Sequence, residues 1–176
     1  MAKKRKKPIS TLNKEHQVAT QTNTPLKLCY SSQAEKFCAT EFKKEPRKAE
    51  AIKRELDKLS RSTMQGDLAV VDGEKIELKV MKAGGLNAIR GRQLAVNVGN
   101  DRIRMIVCKH GDQMFIARGF VKKDDGKDYI HHCSLAYNTI KSFIKNGVAV
   151  EHSKVFPEDS AAKLDKKNSM QFKAKF

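Results

Sequence analysis

The sequence predicts an α+β fold, with two N-terminal helices and a C-terminal helix packed on an antiparallel β-sheet and with disordered basic termini. Three observations predict it. Apolar residues recur at helical spacing in two segments between Ala34 and Leu59, three alternating runs separated by Gly-containing turns lie between Leu94 and Val121, and a last helical period ends at Gly147.

The first element is a short strand, because Leu26, Leu28 and Tyr30 alternate with Lys27 and Cys29. Ser32-x-x-Glu35 then has the form of a capping box, in which side chains satisfy the free N–H groups of a first helical turn. Ala34, Phe37, Cys38 and Phe42 continue at helical spacing. Pro46, which lacks an N–H, interrupts before a second amphipathic helix carrying Ile52, Leu56 and Leu59 on one stripe, and the two helices read as an antiparallel pair. Between Thr63 and Gly85, the apolar pieces Leu68–Val71 and Ile76–Met81 are split by Asp72-Gly73, a turn dipeptide that predicts a small hairpin or ribbon.

Leu94, Val96 and Val98 next alternate into the turn residues Gly99-Asn100-Asp101, and Ile103, Met105 and Val107 alternate on the return. His110-Gly111-Asp112 leads into Met114–Val121, which completes a three-stranded antiparallel meander. After a polar loop, Ile130, Cys133, Tyr137, Ile140 and Ile144 predict one stripe of a closing helix that Gly147 ends. The domain is therefore expected over residues 26–147.

The ends differ in composition. Residues 1–25 begin with Lys3, Lys4, Arg5, Lys6 and Lys7 and continue without apolar periodicity, which predicts a disordered basic arm; phosphate contact, an import signal or a merely solvated tail would each suit it. Residues 148–176 are Lys-rich with no sustained period and are expected to form a mobile tail. No run approaches the roughly 18 apolar residues that span a bilayer, and no apolar signal core follows the basic start, so a cytoplasmic protein without membrane partners is expected. Cys29, Cys38, Cys108 and Cys133 form no C-x-x-C pair and are expected as reduced, mostly buried thiols.

Charge points to a partner class. Lys and Arg number 36 against 20 Asp and Glu, a net +16 at pH 7, and such a field concentrates polyanions and releases phosphate counterions on binding. Solubility alone is the plainer use of that charge. Alternation places Arg102 and Arg104 on the sheet face opposite Ile103, Met105 and Val107, while Arg118 on the next strand and Arg90 and Arg92 before the meander bring further guanidinium groups. Lys122 and Lys123 end the last strand. Tyr129, His131 and His132 open the closing helix, where neighbouring positive charge favours neutral imidazole; adjacent helical residues point about 100° apart, so at most one histidine faces a given site.

Other chemistries find less support. Cys108-x-His110 and His131-His132-Cys133 contain zinc-ligand types, but their spacing matches no familiar knuckle, and no metal or other cofactor is expected. Gly84-Gly85 and Gly91 lack the Lys-Ser/Thr context of a nucleotide loop. No nucleophile-elbow motif or carboxylate-rich metal loop is present, which argues against ordinary hydrolases and magnesium-dependent nucleases.

Gly85-Leu86-Asn87-Ala88-Ile89-Arg90, Arg102-Ile103 at a strand start, Gly119-Phe120-Val121-Lys122-Lys123 and Ala136 occur in an order that resembles the RelE/HigB-type toxin superfamily, especially its phage-encoded HigB-like branch. The resemblance covers Leu26 to Asn146. It implies a RelE-like fold and a metal-independent, usually ribosome-dependent mRNA endoribonuclease, in which the substrate 2′-hydroxyl attacks the adjacent phosphate. RNA or the ribosome is the implied partner, with an antitoxin protein as a possible second one. Arg90 and Arg102 match the family's arginines, and Lys122 and Lys123 its terminal lysines; geometry adds Arg104, Tyr129, His131 and His132. The chain departs from the family at Ala88, where a Glu is usual, and in about three extra residues between Arg90 and Arg102. A noncatalytic phage-encoded inhibitor that binds RNA, DNA or a host protein such as gyrase is therefore the alternative.

Overall fold

The chain runs β1 (Lys27–Tyr30), α1 (Ser32–Lys44), α2 (Pro46–Arg61), β2 (Thr63–Gln65), β3 (Leu68–Val71), β4 (Glu74–Ile76), β5 (Lys79–Val80), β6 (Arg92–Val98), β7 (Asp101–His110), β8 (Gln113–Val121), α3 (Gly126–Asn146), β9 (Val150–Glu151) and α4 (His152–Val155) in the computed structural model, which describes residues 25–65 and 68–156. The run Lys3, Lys4, Arg5, Lys6 and Lys7 lies outside the described residues, as does the tail beyond Phe156.

The meander β6-β7-β8 forms as expected and is the centre of a six-stranded sheet ordered β5-β6-β7-β8-β1-β9. The sheet is mixed and not wholly antiparallel, because β1 lies parallel to β8 with Leu28 opposite Met114 and Tyr30 opposite Ile116. That pairing joins residues more than eighty positions apart, and no local pattern announces it. The Asp72-Gly73 turn also forms, with φ of 50° and 78°, the paired left-handed geometry of a tight two-residue hairpin. Its strands join β2 in a separate three-stranded ribbon, whereas Lys79–Val80 leaves the ribbon to pair with Arg92 and Gln93 at the edge of the main sheet.

Strand alternation gives each sheet face its own core. Leu28, Tyr30, Leu94, Val96, Ile103, Met105, Val107, Met114 and Ile116 pack under α1 and α2 with Cys38, Ile52, Leu56 and Leu59. On the other face, Ile106, Cys108, Phe115, Ala117 and Phe120 pack under α3 with Cys133, Ala136, Ile140 and Phe143. The architecture is thus α+β with helices on both faces of the sheet. The buried stripe of α3 differs from the expected one. Ile130 is 53% exposed and Ile144 44%, while Ala136 and Phe143 take the inner positions. Both sets have helical periods, and the two isoleucines fall on the outer shoulder.

Two local details differ from expectation for physical reasons. The N-cap of α1 is Ser31, whose hydroxyl accepts from Ala34 N–H at 3.0 Å and donates to the Ala117 carbonyl at 2.6 Å. One hydroxyl therefore caps the helix and covers the β8 edge where β1 stops. The packed unit also extends past Gly147. β9 pairs with β1, Phe156 is buried, and the buried Tyr30 hydroxyl is hydrogen-bonded with His152 Nδ1 at 2.7 Å, with Nε2 3.2 Å from Asp57. Among the described residues no helix is long and apolar enough to cross a membrane.

Candidate nucleic-acid interface

The face under α3 is covered by the helix only along part of its length. At the end nearest the first turn of α3, the outward phase of β6 presents Gln93, Ala95 and Asn97, and β7 presents Arg104 opposite Ala95 and Arg102 opposite Asn97. On β8, Phe120 lies opposite Arg104. Lys122 follows directly, its backbone N–H donating to the Arg102 carbonyl at 2.6 Å. Arg102, Arg104 and Lys122 are brought together by these pairings.

Arg118 reaches the same face through a bulge. Val107 pairs with Ile116 but Ile106 pairs with Arg118, so Ala117 is an extra residue in β8. Strict alternation would have placed Arg118 with Met114 and Ile116 in the α1–α2 core. The bulge turns it to the α3 face instead, where its Nε donates to His132 Nδ1 at 2.8 Å.

The cations surround an aromatic group. His132 stacks on Phe120 with ring centroids 4.2 Å apart and planes 6° from parallel, and Tyr129 lies against Phe120 at 6.0 Å. The Tyr129 hydroxyl donates to Gln93 Oε1 at 2.7 Å, and Lys122 Nζ sits 5.2 Å from the Tyr129 ring centre. Arg104 Nη1 donates to Asn97 Oδ1 at 3.0 Å and to the Ile103 carbonyl at 2.9 Å. Its Nε is buried with no hydrogen-bond acceptor among the described residues. Burial and, after it, the Arg102 charge lower the Arg104 pKa, although a guanidinium keeps its proton throughout.

Carboxylates temper this charge. Arg102 donates to exposed Asp124, whose carboxyl is held below its ordinary range by that hydrogen bond and charge. Asp128 lies 3.6 Å from His132 Nε2. A cleft of about 460 Å³ opens beside the cluster, lined by Gln93, Arg104, Lys122 and Tyr129 together with Glu55, Glu74 and Glu77 and the lysines Lys58, Lys75 and Lys79. The site therefore combines cations with a wall of mixed charge.

Other candidates lie elsewhere. Arg90 ends the Leu86–Arg90 turn, exposed and with φ of 53°, at the end of the sheet where Cys108 contacts the Ile89 carbonyl. Arg92 opens β6 opposite Val107, in the phase of Leu94 and not that of Ala95. Between Arg92 and Asn97, the Arg102 partner, β6 advances roughly 17 Å, so neither Arg90 nor Arg92 belongs to the cluster at Arg102. Lys123 is exposed in the loop after β8. His131 is exposed beside His132, so of the two histidines it is His132 that faces the cluster. Among the described residues no three His, Cys, Asp or Glu side chains come together as metal ligands.

Sequence reasoning passed over Gln93, Asn97, Phe120, Asp124 and Asp128. Two signals for them were present: Gln93 and Asn97 share the outward phase of β6, and Asp128 precedes His132 by one helical turn. The chain matches no protein-family model, no curated protein and no solved structure.

Proposed function

We propose that the chain binds RNA through the exposed end of its α3 face and acts there as a toxin-like, metal-independent endoribonuclease on mRNA at the ribosome, on a RelE/HigB-like fold. The observation that carries this reading is the gathering of Arg102, Arg104 and Lys122 from β7 and the end of β8 beside Tyr129 and Phe120. Guanidinium and ammonium groups suit a phosphodiester, and the pentavalent phosphorane formed by 2′-hydroxyl attack gathers negative charge that fixed cations stabilise. Arg104 adds a driving force, since its buried Nε lacks an acceptor that an anion in the adjoining cleft could supply after a side-chain shift.

One observation favours the second reading, a noncatalytic RNA-binding inhibitor. His132, the imidazole at the cluster, is engaged at Nδ1 by Arg118 and faces Asp128 at Nε2, so it offers no free base in this state. Incubation with translating ribosomes, followed by mapping of mRNA 5′ ends, separates the two. New ends that vanish in the Arg104→Gln, Lys122→Gln double variant support cleavage; intact mRNA together with bound RNA supports the inhibitor.

A further inference from the structure

Cleavage of a phosphodiester seated on this face requires a group that takes the proton from the 2′-hydroxyl, and His132 is the imidazole at hand. It is one register step from Arg104 through Phe120, and its ring is fixed by the Phe120 stack. Arginine can only donate, so the 2.8 Å contact from Arg118 Nε makes His132 Nδ1 the acceptor. The ring proton then resides on Nε2, which faces the Asp128 carboxylate at 3.6 Å. Neither nitrogen can take a proton in this arrangement: one lone pair is committed and the other nitrogen already carries hydrogen. The charged and titratable groups around the imidazole are Arg118 from β8, Asp128 and His131 from α3, and Lys123 from the intervening loop. Burial, followed by the Arg118 charge, holds its pKa below the ordinary histidine value.

Building on the proposed phosphodiester site, on which the idea rests, we infer that Arg118 is an anion-responsive lock on His132. An RNA phosphate that draws the guanidinium to itself uncovers the Nδ1 lone pair, so that a general base exists only when a phosphodiester is seated. Arg118 is a positioning residue in this scheme. The bulge at Ala117 serves it by turning the guanidinium to the sheet face that carries His132, Phe120 and Arg104. In the unlocked state the 2′-hydroxyl proton passes to His132 Nδ1 as the O2′–P bond forms. The O5′–P bond breaks with its electron pair on O5′, which takes a proton from water, and His132 returns its proton to solvent. The strand ends are a cyclic 2′,3′-phosphate and a 5′-hydroxyl.

Uniformly 15N- and 13C-labelled full-length protein, titrated by NMR with and without a 2′-O-methyl RNA oligonucleotide that binds but cannot be cleaved, tests the lock. In the free protein His132 is expected in the Nε2–H tautomer, and the oligonucleotide is expected to raise its pKa by about half a unit or more as the Arg118 charge is neutralised. Arg118→Gln should show the raised value without ligand and respond no further, while Arg118→Lys should restore part of the depression. A bound oligonucleotide that perturbs Arg104, Lys122 and Tyr129 but leaves His132 unmoved overturns the lock and leaves RNA binding standing. An oligonucleotide that perturbs none of these residues overturns both.

Discussion

Lys48 on α2 places its ammonium 2.8 Å from the Asp101 carboxylate at the start of β7, and thereby ties the corner between the first two helices to the β6–β7 turn. The ammonium also lies 3.3 Å from Glu41 and 3.8 Å from Glu45, and its side chain is only 9% exposed. Its pKa is raised chiefly by the Asp101 hydrogen bond. A raised lysine pKa contributes stability that is present below the unfolded value and lost as pH rises through the folded one.

Removing that ammonium leaves the Glu41 carboxylate buried without its counter-charge. Lys48→Met is expected to destabilise the fold by about 3 kcal/mol, read as a lower urea midpoint at pH 7. An unchanged midpoint would show that the buried ions contribute nothing net.

Gly84 sits at φ +62°, and a Cβ there would meet Ser134 N at 2.7 Å and the Cys133 carbonyl carbon at 2.8 Å, both α3 backbone. Neither can move as a flexible side chain would. Gly84→Ala is expected to cost about 2 kcal/mol or more, from strain and overpacking together, and to lower the thermal midpoint. Gly73→Ala, at φ +78° with open space around it, should show the strain alone.

A truncation tests what the segment after α3 contributes to stability. A chain ending at Gly147 loses β9, the buried Phe156 and the Tyr30–His152 hydrogen bond. Its stability is expected to fall by about 3 kcal/mol or more relative to the full-length protein, read in a urea titration.

All four cysteines are free and buried. Burial pushes the Cys29 thiol up to about 11 and Cys38 to about 12, and raises Cys108 and Cys133 as well. Thiolate is the reactive form. Native protein at pH 8 is therefore expected to react slowly with a disulfide reagent, and to release four equivalents rapidly in denaturant.

Local patterns carried the meander, the Asp72-Gly73 turn and the amphipathic stripe of α2, because hydrophobic period and turn chemistry fix each of these within a few residues. Partners distant in sequence were hidden: the parallel seat of β1 beside β8, and the return of Val150–Phe156 to the first strand. The candidate site was legible where alternation holds, at Arg102 and Arg104. It was obscured at Arg118, whose direction depends on the bulge at Ala117, and at Arg90, which the family resemblance groups with Arg102 but which stands at the other end of the β6–β7 hairpin. The helical order of His131 and His132 allowed one inward histidine, and the Phe120 stack and the Arg118 hydrogen bond identify it as His132.

The salt dependence of single-stranded RNA binding, compared between the wild-type chain and an Arg104→Gln, Lys122→Gln variant, probes the phosphate-binding role of the α3 face most directly. Each lost phosphate contact removes about 0.7 from the slope of log affinity against log salt. The variant is therefore expected to bind more weakly at low salt with a slope reduced by about 1.4. Equal affinity and equal slope in the two proteins would contradict the account and place any RNA contact elsewhere on the chain.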